Sequence, residues 1–126
     1  MRTFSAFVFM ISATTATAQE RVTDPNGTVT GTFLGQQVAF DVACLRDQMF
    51  PNGASLTTHT PLSQSLIDNL TEDGLNITMF NGGAGVLANI AGEPYMKVKT
   101  GIGDPTFPMS LQGDDFDLTL TCPDGF

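Results

Sequence analysis

The sequence predicts a mostly β protein, a small antiparallel β-sandwich or barrel of about seven strands, with one short helix near residues 61–72. Three observations carry that expectation. Short runs with apolar residues at alternate positions recur along the chain. Gly, Pro, Asn and Asp separate the runs. The two cysteines, Cys44 and Cys122, each end the apolar row of such a run.

Taken in order, the chain opens with the pattern of an export signal. Met1-Arg2 supplies a positive start, Phe4 to Ile11 an apolar stretch, and Ala16-Thr17-Ala18 the small-x-small pattern that fits a signal peptidase. Cleavage is expected between Ala18 and Gln19, because the apolar stretch is shorter than the roughly 20 residues that cross a bilayer. Residues 19–126 then form a single β domain. Thr28 to Leu34 places Val29 and Phe33 on one face and threonines on the other. Gly35-Gln36 reverses the chain, and Val38, Phe40, Val42 and Cys44 alternate with Ala39, Asp41 and Ala43 in the returning strand of a hairpin.

The helix is expected from Leu62, Leu66 and Leu70, with Thr60 as its cap, Pro61 in its first turn and Gly74 at its end. Leu75, Ile77 and Met79 begin the next strand, and the Gly-rich stretch 81–85 is expected to turn the chain into Val86, Ala88 and Ile90. Gly92-Glu93-Pro94 is expected to break that run before a strand from Tyr95 to Thr100. Gly113-Asp114-Asp115 reads as a turn into the last strand, where Phe116, Leu118, Leu120 and Cys122 alternate with polar residues.

In an exported chain two cysteines pair. The alternative of a catalytic redox pair needs Cys-x-x-Cys, which is absent. A Cys44–Cys122 disulfide therefore brings two strand ends together and closes a domain with a thin core. The chain carries 13 acidic and 5 basic residues, a formal charge of −8, and loss of the leader removes one of the basic ones, Arg2. Such a surface repels phosphate backbones and anionic lipid, so no nucleic-acid partner is expected, and nothing after residue 18 reads as a membrane span. Three triplets, at Asn26, Asn69 and Asn76, fit the N-glycosylation pattern in this Thr-rich chain. The short leader favours a periplasmic or otherwise secreted location.

Catalytic and cofactor motifs are sparse. One histidine, His59, cannot build a blue-copper or structural zinc site, so no metal or other cofactor is expected. In Thr-Thr-His-Thr it is expected on a solvated loop or edge. The 81–85 stretch lacks the Lys-Ser/Thr of a phosphate loop, and no Gly-x-Ser-x-Gly is present. Tyr95, Lys97 and Lys99 share one strand face and suit an anionic ligand or protein partner. Edge lysines can instead serve to discourage strand-to-strand aggregation. Met49-Phe50-Pro51 and Phe107-Pro108-Met109 place apolar groups in loop-like segments, either for binding or to close the core. The expected function is thus a non-catalytic exported domain that binds a protein or small ligand. The alternatives are a small hydrolase or isomerase using His59 with a nearby carboxylate, and a calcium-dependent module at Asp114, Asp115 and Asp117.

Overall fold

A computed structural model describes residues 20–46, 53–60, 72–80 and 82–126. The expected leader, the helix over 61–72 (but for Glu72) and the 49–51 apolar group lie outside them. The strands are β1 (Glu20–Arg21), β2 (Gly27–Phe33), β3 (Gln36–Arg46), β4 (Ala54–Thr57), β5 (His59–Thr60), β6 (Gly74–Phe80), β7 (Gly83–Ile90), β8 (Glu93–Thr100), β9 (Met109–Gln112) and β10 (Phe116–Thr121). Eight form one antiparallel sheet in the order β9-β10-β2-β3-β4-β6-β7-β8, and β1 pairs with β5 in a separate ribbon. The mostly β class is therefore correct, with one more strand in the sheet than expected.

The alternation decides which way the sheet curls. Val29 and Phe33 of β2, Phe40, Val42 and Cys44 of β3, Leu75, Ile77 and Met79 of β6, and Phe116, Leu118 and Leu120 of β10 all face inward and are buried. Removing each large apolar side chain from water contributes about 1.5–3 kcal/mol. One sheet can cover its own apolar face only by curving, so the eight strands form a half-barrel. Tyr95, on the edge strand β8, reaches across the interior to stack edge-on against Phe33 at 4.7 Å and Phe116 at 6.4 Å. Among the described residues no ladder joins β8 to β9, the other edge.

Two tight turns set the registers. Leu34 and Gly35 both have positive φ (51° and 80°), as do Ala91 and Gly92 (53° and 83°). Each pair makes the two-residue turn whose twist matches a β-hairpin. The first reversal thus falls on Leu34-Gly35, and Gln36 already belongs to β3. The second is confined to Ala91-Gly92, so Glu93 and Pro94, expected to break the strand, open β8 in register with Ile90 and Asn89. Similarly, β7 begins at Gly83 inside the expected turn, Met109 opens β9, and Gly74 opens β6 where a helix end was expected.

Cys44 and Cys122 are bonded, with Cα atoms 6.0 Å apart. The bond joins β3 to the end of β10 past the first residue of β2. A Cβ on Gly27 would overlap both Cys44 Sγ and the Thr121 carbonyl oxygen. Glycine is therefore required where the crosslink and the neighbouring backbone crowd the strand. Asn26 supports the same corner by accepting the Cys44 N–H on Oδ1 at 2.7 Å.

Candidate functional site

The outer strand β8 positions the three residues singled out by the sequence. Tyr95, Lys97 and Lys99 lie opposite Ala88, Val86 and Ala84 of β7, all buried, so the three share the inward face of the sheet. The aromatic ring of Tyr95 is half-buried against the core. Its hydroxyl donates to Asp115 Oδ2 at 3.3 Å, tying β8 to the turn before β10. Burial, helped by the Asp115 and Asp114 charges, pushes the Tyr95 hydroxyl up to about 12. Lys97 is exposed and Lys99 half-buried. Among the described residues neither makes an ion pair or hydrogen bond, whereas Arg21 binds Glu72 and Arg46 covers the Phe126 ring at 4.3 Å.

The opposite face of β8 was not singled out from the sequence. Met96 and Val98 are 58% and 63% exposed. The backbone edge follows from the Ala91-Gly92 turn. A two-residue hairpin closes with a hydrogen-bonded pair, here Ile90–Glu93, and the bonded pairs then recur at every second residue. Glu93, Tyr95, Lys97 and Lys99 thus point their backbone groups at β7. Met96, Val98 and Thr100 point theirs at the outer edge, which no strand among the described residues pairs with. Pro94 shares that edge, where its missing N–H breaks no ladder bond.

His59 is corrected by the structure: it is 1% exposed, not solvated. Its Nδ1 lies 2.7 Å from Thr58 Oγ1 and its Nε2 3.0 Å from Glu72 Oε1. A carboxylate oxygen only accepts, so Nε2 carries a proton. Glu72 also pairs with Arg21 at 3.0 Å, and the His59 hydrogen bond, then that from Arg21, holds its carboxyl below the usual carboxylate range. Arg21 lies opposite His59 in the β1–β5 ribbon, and Val22 N–H donates to the Thr58 carbonyl at 2.8 Å. A Cβ on Gly74 would stand 2.8 Å from His59 Nδ1, so the imidazole packs directly on the start of β6. Burial of His59 thus fastens the segment after the expected cleavage point to the domain.

This cluster contains the carboxylate that a His59 hydrolase needs, but its hydroxyl is already engaged. Thr58 is fully buried. Its Oγ1 accepts the Leu75 N–H at 2.9 Å and shares one proton between His59 Nδ1 and the Leu75 carbonyl at 3.2 Å. Its single proton is committed to the ring and the backbone, and one of its two lone pairs to the Leu75 N–H.

The acidic turn lines a cleft of about 480 Å³ with Thr32, Leu34, Asp114, Asp115 and Asp117. Its carboxylates do not converge. Asp115 accepts from Tyr95, Asp117 accepts from Gln112 Nε2 at 3.3 Å, and no three His, Cys, Asp or Glu among the described residues are placed to hold a metal ion. At the other end of the half-barrel, Phe107 and Phe126 meet edge-on at 5.6 Å beside Cys122, flanking a smaller cleft of about 230 Å³. Phe107 is therefore packed against the core, as the closing role for that segment required.

No family model, curated protein or solved structure matches this chain. Among the described residues no helix is long and apolar enough to cross a membrane.

Proposed function

We propose that this chain is exported to the periplasm or secreted, and there acts as a non-catalytic domain that binds a protein or small ligand through β8, with Tyr95, Lys97 and Lys99 in the contact. The reading rests on one observation: the two lysines without a partner among the described residues stand on one edge strand of a chain whose formal charge is −8. Cations left unpaired in an acid-rich protein hold interaction energy for an anionic group of a partner. Exposed Met96 and Val98 on the other face supply apolar area, and the backbone edge, unpaired among the described residues, supplies hydrogen bonds to an extended segment. The Cys44–Cys122 bond is consistent with an oxidising compartment.

The test compares the intact precursor's secreted product with its Lys97→Glu/Lys99→Glu variant as bait against extract of the same compartment. Bound species are identified by mass spectrometry. The reading expects species retained by the wild type and lost from the variant at unchanged melting temperature. Equal capture by both would remove β8 from the function. N-terminal sequencing of the mature product tests export, with Gln19 expected as the first residue.

A further inference from the structure

We propose that β8 pairs with β8 of a second copy of this chain, antiparallel about a two-fold axis at Met96, to make a continuous sheet across a homodimer. This rests on the preceding reading of β8 as a contact strand and names its partner. The backbone condition is met by the register already described: Met96 and Val98 direct N–H and C=O outward, so the two Met96 residues exchange both bonds, and Val98 N–H donates to the Pro94 carbonyl of the other copy. Pro94 has no N–H to offer and loses one bond per side, which leaves the central pair intact.

Charge and the length of strand paired select this register over its neighbours. In an antiparallel two-fold pair, residues equidistant from the axis stand opposite each other. With the axis at Met96, Lys99 faces Glu93 of the other copy, and Lys97 faces Tyr95. Both pairs are on the inward face and in the closely spaced, non-hydrogen-bonded positions where side chains interact most strongly. With the axis at Lys97, the two Lys97 ammonium groups oppose each other. With the axis at Val98, Lys97 opposes Lys99 twice. Like charges directly opposite are destabilising. An axis at Tyr95 also avoids them, with Lys97 facing Glu93, but it sets Val98 and Lys99 against the Ala91-Gly92 turn, so only the Met96 register gives both lysines an acid or a neutral ring on the partner strand. It also stacks Met96 on Met96 and Val98 on Pro94 on the outer face, covering the two most exposed apolar side chains of the strand. The lysines that would repel a misaligned strand thus act as a register key as well as an edge guard.

The experiment uses the mature, disulfide-bonded protein. Light scattering across a concentration series reads the oligomeric state, with melting temperature as the folding control. A dimer is expected for the wild type. Lys99→Glu places acid against acid twice and is expected to weaken dimerisation about tenfold or more. The same is expected of Glu93→Lys, and the combined Glu93→Lys/Lys99→Glu swap restores the dimer. In a second arm, Met96→Cys is oxidised with copper phenanthroline; its opposed Cα atoms would lie about 5.5 Å apart, inside disulfide range. A crosslinked dimer is expected from Cys at 96 and none from Val98→Cys. A monomer at every concentration, or crosslinking at 98 but not 96, overturns the proposal. If the wild type is monomeric and Lys97→Glu/Lys99→Glu still loses a different captured species, the dimer falls while the binding role of β8 stands.

Discussion

Replacing both cysteines, Cys44→Ala/Cys122→Ala, is the perturbation whose size can be worked most fully. The residues are 78 apart in sequence, and closing a loop of that length removes about 15 cal/mol/K from the unfolded chain, or about 4.5 kcal/mol at 25 °C. The native state loses little beyond two sulfurs: Cys44 and Cys122 are 3% and 7% exposed, and ladders to β2 hold the ends of β3 and β10 without the bond. A domain of this size unfolds with an entropy of about 0.2 kcal/mol/K, so the loss corresponds to a melting temperature about 20 °C lower. Urea unfolding followed by circular dichroism measures the free energy, and calorimetry the melting temperature. Most of the change should sit in the unfolded chain and appear as a larger urea slope in the variant, which exposes more surface on unfolding. A variant within 1 kcal/mol of the wild type would refute the view that the crosslink limits the unfolded chain.

Other outcomes follow from the same structure. Gly27→Ala should lower stability by about 2 kcal/mol or more through its clash with Cys44 Sγ and the Thr121 carbonyl; in the Cys44→Ala/Cys122→Ala background, denaturant unfolding should show a smaller effect because one clashing atom is gone. Tyr95 is the chain's single tyrosine, so ultraviolet titration reports it alone: a midpoint near 12 is expected, moved down by Asp115→Asn. Because its folded value is raised, the stability it confers is complete below about 10 and is lost as pH climbs from there towards 12; an ordinary midpoint would show that the hydroxyl is not held against Asp115. Glu72 has the opposite sign: its lowered carboxyl adds stability above about 4.5 that disappears as pH falls through the folded value. Glu72→Gln should flatten that acid limb in pH-dependent melting, and an unchanged limb would remove the Arg21–Glu72–His59 link from the account.

The strands that sequence reveals are those long enough for a period of two to repeat. Val38 to Cys44 and Phe116 to Cys122 each show four alternating inward residues, and the ends of those rows locate the disulfide. By contrast, β4 and β9 have four residues each, too few for alternation to stand out from loop sequence. Glycines at 82, 83 and 85 read as a turn, yet Gly83 and Gly85 continue β7 because their cross-strand neighbours, Phe80 and Thr78, hold the ladder. Pro94 reads as a breaker and is tolerated because its nitrogen faces an edge that carries no ladder among the described residues. His59 lies between small hydroxyl residues, with no apolar periodicity to mark it as buried. Its burial depends on Glu72, 13 residues away, and on Arg21, brought in by the β1 ribbon, and no local pattern encodes those meetings. The common face of Tyr95, Lys97 and Lys99 was legible from alternation. That β8 is an edge strand was not, since strand order is a property of the whole chain.

Residue-resolved amide exchange along β8, at low and high protein concentration, tests the central claim most directly. Tyr95, Lys97 and Lys99 should be protected at both, since their N–H groups face β7, while Met96 and Val98 should exchange rapidly when dilute and become protected when concentrated. Protection of Met96 and Val98 at the lowest concentration would mean the edge is already closed within one chain, and rapid exchange at both concentrations would mean no second strand docks there.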